Sequence, residues 1–209
     1  MTQTKKKYLA LVIYCLCFYT IWTIFVLCIE ASIDSWFLKM GIIKTAIWTL
    51  PAMLLIHKFH DTVQIGLKEM FVTKVKWWRY LWVYALLVVW VLLNALLKGI
   101  SFSLEPDALI IVLFVGITEE MVFRGWLLNA TIKDMTKWLA VFINAVMYLT
   151  THFPSMIQDG VLFGKFAPSY FIGFMSFSVI FSVSFLKSKN LLIPITMHML
   201  FDLMAYVLF

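Results

Sequence analysis

Apolar stretches of bilayer length recur from one end of the chain to the other. They run over about 8–28, 40–56, 80–97, 108–129, 138–153, 169–186 and 191–209, and a transmembrane helix needs about 20 such residues. Of the 209 residues, 63% are hydrophobic and 13% are Asp, Glu, Lys or Arg, where an average soluble domain holds about 45–50% and about 25%. A soluble fold of this size cannot hide that much apolar surface, so lipid must cover it. This excludes a soluble enzyme, a secreted disulfide scaffold and a disordered chain. The expected fold class is all-α, a polytopic membrane helical bundle of about seven transmembrane helices, forming one integral membrane domain over 1–209. The second span is the weakest, because it is short and holds Lys44 and Pro51.

Charge placement fits that count. Lys5, Lys6 and Lys7 precede a first span too long for a cleaved signal peptide and followed by no small-residue cleavage site, so it reads as a retained anchor. With the N-terminus in the cytoplasm, twelve basic residues fall in inner segments: Lys5, Lys6, Lys7, Lys58, Lys68, Lys74, Lys76, Arg79, Lys133, Lys137, Lys187 and Lys189. Only Lys39, Lys98 and Lys165 fall outside, the bias that the positive-inside rule demands. The net charge of +6 thus implies a cell-membrane, multi-pass protein whose partner is the bilayer and not nucleic acid. Between spans two and three, Phe59, Val63, Leu67, Met70, Phe71 and Trp78 recur at helical spacing among Lys68, Lys74 and Lys76. An amphipathic helix on the inner leaflet is expected over 57–79, with Trp77, Trp78 and Trp82 at headgroup level. Cys15, Cys17 and Cys28 all lie in the first span and read as small apolar side chains. His57 and His60 have no neighbours that would complete a metal site.

Ionisable groups inside a membrane helix are costly and mark function by default. Apart from Lys44 in the weak second span, three predicted spans hold them: Glu119, Glu120 and Arg124 in the fourth, His152 near the end of the fifth, and His198 with Asp202 in the seventh. Glu120 and Arg124 stand at i, i+4 and share a helix face. Glu119 is turned about 100° away and has no partner within its helix, which suits a general base or acid; a salt-bridged structural network is the competing reading. At about 1.5 Å per residue, Glu119 lies about 21 Å from Lys133, His152 about 22 Å from Lys137, and Asp202 about 20 Å from Lys189. Three helices therefore carry polar groups to similar depths, consistent with one intramembrane site.

The order of these elements resembles the CPBP intramembrane proteases, the group of CAAX-prenyl endopeptidases and bacteriocin-processing or immunity (Abi) proteins. The pattern is two adjacent glutamates with an arginine four after the second, an aromatic four before a histidine, then a histidine four before Asn or Asp; it occupies 116–204. The resemblance implies an intramembrane endopeptidase acting on a membrane-associated peptide or protein. Glu119 would be its catalytic base, supported by Glu120 and Arg124. His152 would position water, and His198 and Asp202 would stabilise the oxyanion. A role in bacteriocin or peptide maturation or self-immunity follows by analogy. Two positions depart from the pattern. Tyr148 stands where Phe is usual, and Asp202 stands where Asn is frequent. An ionised Asp cannot donate a hydrogen bond; it could orient His198, stay protonated or bind a metal. Glu119, His152, His198 and Asp202 could also hold a divalent metal such as zinc, although a metal-independent glutamate mechanism is favoured. Two other classes stay open: a non-proteolytic membrane immunity or regulatory partner retaining the same motifs, and a proton-coupled transporter.

Overall fold

The computed structural model describes residues 2–99 and 106–208. Seven helical stretches lie where the apolar runs predict them. They are α1 (Gln3–Ser32), α2 (Phe37–Lys58), α3 (Trp77–Leu97), α4 (106–131), α5 (Lys137–Gln158), α6 (Ala167–Ser188) and α7 (Leu192–Leu208). No strand occurs among the described residues. Five of the seven, α1, α2, α3, α5 and α6, are long and apolar enough to cross a membrane. The expected count of about seven exceeds this because α4 carries Glu119, Glu120 and Arg124, and α7 has 17 residues. Phe209, included in the last predicted span, lies outside the described residues.

Burial runs opposite to that of a soluble protein. Leu16, Leu54, Leu96 and Leu97 face outward, while Lys7, Lys44, Glu119, Glu120, Arg124, Asn144 and His198 are buried. Lipid contact for the first set and mutual pairing for the second account for both. An aromatic chain ties the N-terminal helices to the motif-bearing ones. Trp48 of α2 meets Phe18 and Trp22 of α1 at 4.6 and 4.8 Å between ring centroids, and Phe123 of α4 at 6.0 Å. Phe123 in turn meets Tyr148 of α5 at 5.0 Å. Edge-to-face pairs at such distances are the favoured aromatic geometry.

The helices are not uniform. After Glu120, α4 widens into π-helical turns over Met121–Leu128. Asn144 of α5 donates to Phe123 O at 2.6 Å there, and Ser182 of α6 donates to Asn144 Oδ1 at 3.2 Å. In α2, Lys44 lies between two π-helical stretches, Phe37–Ile43 and Thr45–Thr49. Such turns are frequent at functional sites. Gly116 permits the close approach of α4 to α7, because a Cβ there would sit 2.7 Å from Met199 Cγ.

The amphipathic helix expected over 57–79 is not formed. Only Glu69–Val72 is α-helical between the end of α2 and the start of α3. The remainder is a turn-rich clip whose apolar residues Phe59, Val63, Ile65 and Met70 enter the bundle. Helical spacing failed as a guide because tertiary hydrogen bonds take the backbone instead. Asn129 Oδ1 accepts from Ile65 N at 2.9 Å, and Asn129 Nδ2 donates to Ile65 O at 2.8 Å. Gln64 N donates to Asn129 O, and Leu191 N to Met70 O. Lys7 Nζ donates to Thr62 O at 3.1 Å and pairs with Asp134 at 2.6 Å. The clip, the start of α1 and the 132–136 and 189–191 connections thus gather at one end of the bundle. Trp77, Trp78 and Trp82 are exposed.

Candidate functional site

Glu119, Glu120 and Arg124 come from α4, where consecutive carboxylates point in different directions. Glu120 faces inward to Arg124 and α7. Arg124 Nη1 donates to Glu120 Oε1 at 2.9 Å, and Nη2 donates to Ser178 O at 3.0 Å and Ser178 Oγ at 2.9 Å in α6. The guanidinium lies 5.0 Å from the Tyr148 ring and 5.4 Å from that of Phe181. A planar, multi-donor cation suits this mixture of carboxylate, carbonyl and aromatic faces. His198 of α7 completes the group, its Nδ1 lying 2.9 Å from Glu120 Oε1.

Glu119 points to the other side. It has no partner within its own helix but finds one in another: Lys44 Nζ of α2 lies 2.6 Å from its Oε1, and both side chains are buried. The ammonium also sits 4.5 Å from the Trp48 ring centroid and 5.5 Å from that of Trp22. A buried charge needs such compensation, because desolvation alone would exclude it. Sequence reading noted Lys44 only as a weakness of the second span. The rule that flagged the intramembrane acids applies equally to this base.

The second carboxylate oxygen, Glu119 Oε2, is buried with no hydrogen-bond partner among the described residues. It faces His198 Nε2 at 3.8 Å and His152 Nε2 at 4.0 Å. These separations are too long for direct bonds. His152 sits at the break in α5 ahead of Pro154. Its Nδ1 is 2.9 Å from Tyr148 O, and its ring stacks on Phe174 at 4.0 Å. A neutral imidazole held this way donates from Nδ1 and offers a lone pair at Nε2. Asp202 Oδ2 lies 3.5 Å from His198 Nε2, and Tyr148 Oη also lies 3.5 Å from it.

All four predicted residues, Glu119, His152, His198 and Asp202, line one cavity of about 840 Å³. Its walls are largely aromatic and include Phe174, Phe177 and Phe201. Trp90 and Leu97 of α3 and Tyr170 of α6, which also line it, are exposed on the outer surface. Among the described residues, the cavity therefore opens to the outer surface between α3 and α6. Glu120 and Arg124 stand behind the wall.

The threonines beside His152 are committed to other bonds, and Ser169 is the serine that lines the cavity. Thr150 Oγ1 is taken by Met147 O and the Tyr19 hydroxyl, and Thr151 Oγ1 donates to Tyr148 O. The free cysteines stay in α1. The described residues do not fit a metal ion: no three of His, Cys, Asp and Glu are arranged to hold one, and the Lys44 ammonium takes one oxygen of the central carboxylate. His57 and His60 are likewise apart from any such set; His60 contacts Asp61 at 3.1 Å on the surface.

The model of the family described as Rce1-like, type II CAAX prenyl endopeptidase, matches residues 81–204, more than half of the chain. No curated protein matches it.

Proposed function

Since the chain belongs to the Rce1-like family of type II CAAX prenyl endopeptidases, we propose that it hydrolyses a peptide bond of a membrane-associated substrate with water activated by Glu119. The observation that carries this reading is the bare Glu119 Oε2, buried at the cavity wall and facing two imidazole nitrogens. A water between Oε2 and His152 Nε2 would give its proton to Oε2 while its oxygen bonds to the scissile carbonyl carbon. The carbonyl π pair moves onto oxygen. Collapse of the tetrahedral intermediate breaks the C–N bond, and the leaving amine takes the proton from Glu119. Positioned base catalysis contributes about 10²–10⁴-fold. Lys44 acts as a positioning residue, fixing Oε1 so that Oε2 alone faces the cavity. His198, carried on Glu120 through Nδ1, polarises the carbonyl from Nε2 when it is the imidazolium. Asp202 orients that ring.

The substrate reaches the site from lipid between α3 and α6. Peptide maturation or self-immunity is the physiological setting we favour. The end that gathers Lys7, the clip and Lys133 faces the cytoplasm, by the positive-inside rule.

The test uses protein in proteoliposomes with two internally quenched probes, a farnesylated CAAX peptide and an unprenylated apolar leader-type peptide. Wild type should cleave at least one, and Glu119→Gln should retain its fold and cleave neither. Cleavage by Glu119→Gln at the wild-type rate, or its full rescue of a deletion phenotype in the host, would overturn the mechanism and turn the search to a non-proteolytic binding role.

A further inference from the structure

The oxyanion formed in this reaction needs a hydrogen-bond donor aimed at it, and Asp202 cannot serve while ionised. We infer that Tyr148 is a catalytic residue, its phenolic O–H donating to the oxyanion of the tetrahedral intermediate. The inference rests on the protease reading above and adds to it a residue with a defined role.

Three observations support it. Tyr148 lines the same cavity as Glu119, His152 and His198. Its hydroxyl lies 3.5 Å from His198 Nε2, at the outer edge of hydrogen-bond length. No other bond holds that hydroxyl among the described residues, so it is free to turn toward a substrate oxygen. The ring, by contrast, is held on several sides. Phe123 packs edge-on at 5.0 Å, the Arg124 guanidinium lies 5.0 Å from its centroid, and the His152 ring lies 4.9 Å away. A fixed ring with an uncommitted O–H is preorganised for charge that appears only during reaction.

The space the oxyanion would occupy is marked by His198 Nε2. Glu119 Oε2, Asp202 Oδ2 and Tyr148 Oη stand 3.8, 3.5 and 3.5 Å from it. Two of those oxygens belong to carboxylates, and the phenol is the neutral donor. In the addition step, the carbonyl π pair moves onto oxygen as the water oxygen bonds to carbon. The Tyr148 O–H then shortens onto that oxygen without transferring its proton, and releases it when the C–N bond breaks. The two unusual residues of this site are thus complementary: the hydroxyl of Tyr148 supplies the donor that an amide at position 202 would otherwise give.

The experiment is the two-probe assay with Tyr148→Phe and the double variant Tyr148→Phe/Asp202→Asn. Tyr148→Phe should lower kcat about 10²–10³-fold, the cost of one oxyanion donor, with little change in KM. The double variant should regain at least about tenfold of that loss, since Asn restores a donor. A Tyr148→Phe enzyme within twofold of wild type overturns the inference and leaves the Glu119 mechanism standing. A loss confined to KM, or one that Asp202→Asn does not relieve, assigns Tyr148 to packing and also overturns it. Absence of cleavage by wild type on both probes overturns both readings together. If Tyr148→Phe does not fold, 3-fluorotyrosine at 148 keeps the shape and makes the phenol more acidic. It should move the alkaline limb of kcat to lower pH, and an unmoved profile overturns the inference.

Discussion

Lys44 Nζ lies 2.6 Å from Glu119 Oε1, yet the other oxygen of that carboxylate has no hydrogen-bond partner among the described residues. One carboxylate thus has a compensated half and a bare half. The compensated half makes a buried charge tolerable, and the bare half is available to a ligand.

Removing the ammonium strands the carboxylate. Lys44→Met should destabilise the detergent-solubilised protein by about 3–5 kcal/mol, the usual cost of breaking one side of a buried pair. Glu119→Gln added to Lys44→Met should return part of that loss, because the uncompensated charge disappears. Thermal unfolding of the four proteins in the cycle measures the coupling. A purely additive result would show that the pair is energetically idle.

Arg124 depends on α6 for its other side. Ser178→Ala removes the Oγ contact at 2.9 Å and leaves the carbonyl contact at 3.0 Å. The expected loss is about 1.5–3 kcal/mol, the range for hydrogen bonds to charged groups. Arg124→Lys should cost more, since one ammonium cannot span Glu120 and Ser178. Chemical denaturation of both variants gives the order, and the reverse order would refute the role of the guanidinium fork.

Asn129 holds both backbone groups of Ile65. Asn129→Ala leaves them buried and unpaired, at about 1–3 kcal/mol each. Asn129→Asp keeps the acceptor for Ile65 N and should lie between Ala and wild type. Limited proteolysis within 59–73 should become faster in the same order. An unchanged cleavage rate in Asn129→Ala would mean that the clip is held elsewhere.

Asp134 lies in the connection after α4. Burial pushes its carboxyl upward, but the Lys7 hydrogen bond and charge outweigh this, so it stays below its ordinary value of 3.8. A lowered carboxyl favours the folded state above its ordinary value, and the advantage disappears as pH falls through the lowered one. Asp134→Asn should therefore be less stable than wild type at neutral pH, and the gap should close below about pH 4. Tm measured from pH 3 to 7 checks the sign; a gap that widens in acid would contradict it.

The helices were legible because bilayer thickness imposes a length and a composition that the apolar runs display directly. The polar positions were legible for a related reason: Glu119, His152 and His198 are too costly in lipid to stand there without compensation. Pair identity was not legible in the same way. Glu120 and Arg124 are one turn apart and could be matched by spacing, whereas Lys44 and Glu119 are 75 positions apart. They meet because α2 packs along α4, with Phe37 against Phe114 and Trp48 against Phe123. The clip failed for a different reason. Its apolar residues fit a helical stripe, but Asn129 and Leu191 take its backbone bonds, which no local periodicity encodes. Tyr148 drew notice as a departure from a pattern, while the freedom of its hydroxyl became visible only with its neighbours in place.

The distance between Lys44 and Glu119 along the chain has a consequence for biosynthesis. Translation delivers α2 well before α4. At about 5–20 residues per second, the 75 intervening residues take about 4–15 s to make. During that interval α2 presents an unmatched ammonium to the insertion machinery, at a cost of about 2.5–3.5 kcal/mol at a helix centre. Compensation of this ammonium is thus contingent on a helix made later, and α2 must carry the cost of its charge until the acid arrives.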